Sequence, residues 1–192
     1  MKNAAVLMVV APLLLFHAAC TSDRGGLPTA GGTTTNGKGL ATTKGASVLS
    51  SDVTQASLRN LGGGYVAPAP ANAPCQLGVS TFTVAFAPPT LTFSRCQETG
   101  DFNVATSYVP QNGQRALNAT ELSMVRTALG AVSVSDRRVC GADKGQVELE
   151  VATSTQSLTY GDDFYGCVPN YTAFVDTASL DNLYAVLNEL AD

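Results

Sequence analysis

The chain has 192 residues, 14% of them charged, no Trp and a formal net charge of −4. From Cys75 onward thirteen Asp and Glu stand against six Arg and Lys, an acidic balance that repels phosphate backbones and sets nucleic acid aside as a partner. The single histidine is His17; without it a chain lacks the base of Ser-His-Asp and Cys-His catalysis and the commonest metal ligand. The reading is therefore non-enzymatic, with no cofactor and no metal.

Residues 1–19 read as a signal peptide. Lys2 gives a short positive start, and residues 4–16 form an apolar run too short to span a bilayer. The run ends in His17-Ala18-Ala19-Cys20. Small residues before a cysteine at this place resemble the lipobox of bacterial lipoproteins, with His17 where that class favours an aliphatic residue. The resemblance implies that Cys20 carries diacylglycerol, becomes the new N-terminus and is acylated again, for example with palmitate. Thr21 stands where Asp would mark inner-membrane retention, which by the same resemblance implies an outer-membrane lipoprotein held in the membrane by its lipid. Five cysteines leave one odd thiol. Giving Cys20 to the lipid leaves Cys75, Cys96, Cys140 and Cys167 as an even set for disulfides.

Residues 20–74 read as a flexible tether. Gly, Thr and Ala dominate 21–46, with too little apolar surface to offset the entropy of ordering. Val48, Leu49, Val53, Leu58 and Leu61 mark at best a short, weak helix over 48–61. Gly62, Gly63 and Gly64 break the chain again, and a Pro-Ala spacer follows.

Residues 75–192 read as one α+β domain, a small disulfide-stapled antiparallel sheet packed against two amphipathic helices. Phe82, Val84 and Phe86 alternate on one strand, Pro88-Pro89 turns the chain, and Leu91 and Phe93 lie on the return. Phe102, Val104, Thr106 and Tyr108 predict a third strand ending near Pro110, with Gln111-Asn112-Gly113 as a turn. Asn118 and Glu121 form a capping box ahead of a helix bearing Leu122, Val125 and Leu129, with Gly130 as its stop. Val147, Leu149 and Val151 alternate with Glu148 and Glu150, and Leu158 and Tyr160 form the return strand of a second hairpin. Tyr171 to Val175 can add a short strand. A second helix carries Leu180, Leu183, Leu187 and Leu190 on one face, capped by Asp176 or Thr177. Four cysteines allow three pairings. Sequential pairing, Cys75 with Cys96 and Cys140 with Cys167, lets each bridge close its own hairpin.

The candidate sites are few. Tyr160, Phe164, Tyr165 and Tyr171 crowd around Cys167 and could form a recognition patch. Asp162-Asp163 is expected at a solvated turn or strand end, since neighbours on an extended chain point to opposite faces. Glu148 and Glu150 are expected on a solvated sheet face, and Arg137-Arg138 in an exposed polar turn. Two hairpins closed by sequential disulfides with a helix between them also resemble, faintly, the subtilisin-inhibitor-like protease inhibitors. Cys140, the strand at 147–151, Tyr160, Phe164 and Cys167 carry that likeness, although Ser135 to Cys140 lacks the inhibitors' proline. The expected function is an envelope-anchored binding or structural module whose partner is an envelope protein or surface ligand. An exported protease inhibitor is the alternative.

Overall fold

A computed structural model describes residues 39–62, 72–99, 107–141, 144–167 and 171–192. Within them lies an α+β fold, one mixed sheet of eight strands with two helices and two disulfides. In chain order the elements are β1 (Val53–Leu61), β2 (Val79–Phe86), β3 (Pro89–Thr99), β4 (Ser107–Ala116), α1 (Ala119–Ala131), β5 (Val134–Ser135), β6 (Val147–Thr153), β7 (Ser157–Asp162), β8 (Ala173–Val175) and α2 (Thr177–Leu190). The sheet order is β4-β3-β2-β1-β6-β7-β8-β5. Every pairing is antiparallel except β7 with β8, so the wholly antiparallel sheet expected from sequence is corrected to a mixed one.

The largest correction concerns β1. The compact unit spans Gly37–Asp192 and thus begins well before Cys75. The stretch read as a weak helix within a tether is instead a strand at the middle of the sheet, with Leu58 set between Phe82 and Leu149. A register shift between Val53 and Gln55 explains the misreading. A bulge inserts one residue and breaks strict alternation, so the buried apolar residues are Val53, Ala56 and Leu58. Their first step of three imitates helical spacing. Ahead of β1, Val48 is buried and the Ala41 carbonyl accepts a hydrogen bond from the Tyr160 hydroxyl. That part of the presumed tether belongs to the fold as well.

A second correction lies on β4. The strand runs through Pro110 and through the residues expected to turn, Gln111 to Gly113. β4 is an edge strand, where a residue without an N–H is tolerated. Gly113 serves packing rather than turning, because a Cβ there would sit 2.5 Å from the Phe93 ring. Phe102, Val104 and Thr106 lie outside the described residues.

Both helices cover the same sheet face. Leu58, Phe82, Leu91, Leu149 and Tyr160 from the strands share one core with Val125, Leu129, Leu180, Leu183 and Leu187 from the helices. The Tyr184 ring of α2 meets Phe82 edge-on at 5.6 Å, and the Arg126 guanidinium of α1 lies 4.7 Å from the Phe86 ring centroid. α1 starts with the expected capping box: the Glu121 N–H donates to Asn118 Oδ1 at 3.0 Å, and the Asn118 N–H donates to Glu121 Oε2 at 2.9 Å. Gly130 does not stop it. The helix continues to Ala131 and ends when Val132 turns extended, its N–H donating to the Leu129 carbonyl.

α2 has no acidic residue in its first turn and no basic residue in its last. The sheet supplies both. Asp163 Oδ1 accepts the Thr177 N–H at 3.2 Å, beside the Asp176 cap. At the far end Arg95 donates to the Asn188 carbonyl at 3.2 Å and to the Asn188 Oδ1 at 2.9 Å, and its guanidinium also pairs with Asp192. Arg115 Nε donates to the Leu190 carbonyl at 2.8 Å. Anions at a helix N-terminus and cations at its C-terminus are each worth about 0.3–1 kcal/mol, more when partly buried.

Two outcomes follow. A chain beginning at Cys75, the boundary expected from composition, lacks the central strand and will show no cooperative urea transition by circular dichroism. One beginning at Gly37 will retain it. Arg95→Met will lower stability by about 2–4 kcal/mol in the same measurement, because it strips charged hydrogen bonds from a mostly buried site.

Candidate functional site

The chemistry-bearing side chains gather where β7 ends against the start of α2. Asp162 closes β7, and the chain turns back so that the Asp163 N–H donates to the Val175 carbonyl on β8. The expected solvated pair is instead buried, each residue 1% exposed. The two carboxylates do converge, both on the Thr177 hydroxyl: Asp163 Oδ1 lies 2.7 Å from it, and Asp162 Oδ1 touches it too. Opposed directions hold only while the chain stays extended, and here the strand has just ended. Asp163 Oδ2 accepts the Ser135 hydroxyl at 2.7 Å, and Asp162 Oδ1 accepts the Phe164 N–H at 2.9 Å.

Lys144 completes the cluster. Its ammonium stands 2.8 Å from Asp162 Oδ2 and 3.0 Å from Asp181 Oδ1, with the Phe164 ring 5.9 Å away. Burial works to lower the Lys144 pKa, but the contacts with Asp162 and Asp181 outweigh it and hold the ammonium above the usual lysine value. The cluster ties β5, β7, α2 and the segment before β6 at one point. Among the described residues no group of three or more His, Cys, Asp or Glu side chains could hold a metal ion. A lysine and two hydroxyls already supply the partners these acids need.

A second network lies on the sheet face opposite the helices. Glu148 is only 7% exposed, not solvated as expected. It pairs with Arg59 on the neighbouring strand, and Oε2 accepts the Tyr171 hydroxyl at 2.8 Å. The Gln146 side chain donates to that same hydroxyl at 2.8 Å. The Tyr171 ring lies over Gly161, where an added Cβ would approach it to 2.4 Å, and meets Phe174 edge-on. Glu150 is partly exposed and accepts the Ser157 hydroxyl at 2.6 Å.

The four aromatic residues expected to form one patch are divided. Tyr160 is fully buried in the core, which removes it from any recognition surface. Phe164 and Tyr165 pack edge-on beside the Cys140 segment and are partly exposed. Tyr171 belongs to the opposite-face network. The bridges join Cys75 with Cys96 and Cys140 with Cys167, and loops of this size contribute about 3 kcal/mol each on the chain-entropy model. Cys20 lies outside the described residues. Arg137 and Arg138 are exposed, and the Arg138 guanidinium is 3.9 Å from the Phe174 ring centroid.

A groove of about 390 Å3 runs between the helices, lined by Met124, Ala128 and Val186 among others. It contains hydroxyls and one amide but no acid or base, and it lies away from both polar networks. Comparison with family models, with curated proteins and with solved structures finds no match.

Sequence reasoning offered Thr177 only as a helix cap and did not bring Lys144, Thr177 or Ser135 to the acid pair, because they are single polar residues far apart in the chain. No spacing rule links them. The burial of Glu148 was hidden for a similar reason, since Arg59 sits on a strand read as tether.

Burial pushes both the Tyr160 and Tyr171 hydroxyls up to about 12, and the Glu148 carboxylate adds to the effect on Tyr171. Folded, each keeps its proton up to about pH 12, whereas in the unfolded chain it is lost near the ordinary tyrosine value of about 10. The stability they contribute is complete below pH 10 and is lost as pH rises through 12, at most about 1.4 kcal/mol per pH unit for each tyrosine. Thermal melts between pH 9 and 12 will show this fall, and Tyr171→Phe will reduce its slope by about half.

Proposed function

We propose that this is a membrane-anchored envelope lipoprotein, a non-enzymatic module for binding or envelope structure held by lipid on Cys20. One observation carries the reading. Four of the five cysteines are used in two bridges inside the fold, and the fifth stands directly after an apolar leader. Disulfides belong to exported proteins, and an odd thiol in an oxidising compartment calls for a use. Lipid on Cys20 provides one. Several acyl chains on one residue give firm anchoring where a single chain binds only marginally. The tether is then the stretch between Cys20 and the start of the compact unit near Gly37, shorter than composition suggested. Outer-membrane sorting follows from Thr21 on the same lipoprotein resemblance.

A second reading, a tethered protease inhibitor, has one observation in its favour. Arg137 is exposed three residues before the Cys140–Cys167 bridge, and the adjoining Val139 N–H is fixed to the Asp163 carbonyl at 2.9 Å. A rigid, exposed basic segment of this kind suits a trypsin-like active site.

Intact mass before and after reduction and alkylation separates the outcomes. The expected result for protein extracted from membranes in detergent is a chain starting at Cys20, with added lipid mass, that gains four alkyl groups only after reduction. A chain without lipid mass, or with a free thiol before reduction, overturns the anchor. Stoichiometric inhibition of trypsin-like proteases, lost in Arg137→Ala, would then favour the inhibitor.

A further inference from the structure

The two bridges differ in how far solvent reaches them. Cys140 and Cys167 are both exposed, whereas Cys75 and Cys96 are both half-buried. Cys96 is also fixed in β3 opposite Pro110 of β4, while Cys140 and Cys167 lie outside every named strand and helix. Thiol exchange needs a thiolate to reach a bridge sulfur, and exposed bridges are the labile ones. Arg137 and Arg138 stand just before Cys140, and Arg138 packs against Gly166, next to Cys167. Positive charge there favours the thiolate that leaves when the bridge is attacked.

This exposed bridge closes a short clasp over the buried acids. Beside it the Val139 N–H donates to the Asp163 carbonyl, the Gly166 N–H to the Val139 carbonyl and the Gly141 N–H to the Phe164 carbonyl, each at 2.9 Å. Gly141 lies so close to the Phe164 ring that an added Cβ would approach it to 2.0 Å. That ring faces Lys144, the cation paired with Asp162. None of Val139, Gly141, Phe164 and Gly166 belongs to the apolar core, so the clasp can open while the sheet and helices stay packed.

We infer that Cys140–Cys167 is a redox-sensitive clasp: a dithiol reductant opens it, leaves Cys75–Cys96 closed, and so admits water to Asp162 and Asp163. A thiolate of the reductant attacks one bridge sulfur and breaks the S–S bond, forming a mixed disulfide. The reductant's second thiol then displaces the protein sulfur. The reductant ends as a disulfide, and Cys140 and Cys167 take up its two electrons and two protons as thiols. The inference goes beyond the envelope-module reading and does not depend on lipid at Cys20.

The test is a titration of the full chain, without denaturant, in dithiothreitol buffers of stepped reduced-to-oxidised ratio. Thiols are trapped by alkylation and assigned by peptide mass spectrometry. Cys140 and Cys167 should become alkylated at a ratio about tenfold lower than Cys75 and Cys96. Where only they are open, amide hydrogen exchange should quicken about tenfold at 139–141 and 163–166 and stay unchanged in β2 and β3. Cys140→Ser with Cys167→Ser should reproduce that exchange pattern and keep a cooperative urea transition. The inference is overturned if the two pairs titrate together, if Cys75–Cys96 opens first, if neither opens, or if exchange across the clasp is unchanged once the bridge is open. A double Ser variant with no cooperative transition overturns it too, since the open form must stay folded. A lipidated chain whose bridges open together fails this inference alone. An unlipidated chain that opens only at Cys140–Cys167 fails the anchor alone.

Discussion

The fold depends on how the sheet holds α2 by both ends. A helix has unpaired N–H groups and partial positive charge at its start, and unpaired carbonyls and partial negative charge at its end. α2 carries no acidic residue in its first turn and no basic residue in its last to meet them. Instead Asp163 and the Asp176 cap meet its first N–H groups, while Arg95 and Arg115 reach its last carbonyls from β3 and β4. The four leucines of its inner face can then stay buried without leaving a polar end unsatisfied. Because β3 and β4 lie on one side of the sheet and β7 and β8 on the other, the helix also spans the sheet and couples its two halves.

That arrangement explains the buried acids. A carboxylate taken out of water destabilises the fold unless it is paired and hydrogen-bonded. Asp162 and Asp163 meet Lys144, Ser135, Thr177 and two backbone N–H groups. Lys144, Ser135 and Thr177 come from three separate parts of the chain, so the cluster forms only when β5, β7 and α2 are all in place. The Cys140–Cys167 bridge lies beside it and restrains the same segment. The polar residues that looked most like chemistry are occupied with joining elements.

β1 shows how a central element can escape notice. It is paired on both edges, and its Leu58 is buried in the core with Phe82 and Leu149 of the flanking strands. Its neighbours on the sheet are far away in sequence, so nothing local identifies it. One bulge shifts Val53 off the alternation, and Gly-rich sequence on either side makes the segment resemble a linker. Composition reports how a segment would behave alone. A strand between two others takes its stability from them.

By itself the sequence determined the α+β class, the capping box of α1, the leucine face of α2, the two hairpin pairs at 82–93 and 147–160, and an even set of four cysteines for two bridges. These are local or periodic features: a cap needs residues three apart, a helix face repeats every three to four, and a strand alternates. Tertiary structure alone decided that β1 is central, that Pro110 and Gly113 sit inside a strand, that β7 and β8 run parallel, and that Tyr160, Glu148, Asp162 and Asp163 are buried. Those outcomes rest on contacts between residues distant in the chain, where Ala41 meets Tyr160, Arg59 meets Glu148, and Lys144 meets Asp162. Burial of a polar side chain is settled by its partner, and no periodicity encodes where that partner will come from.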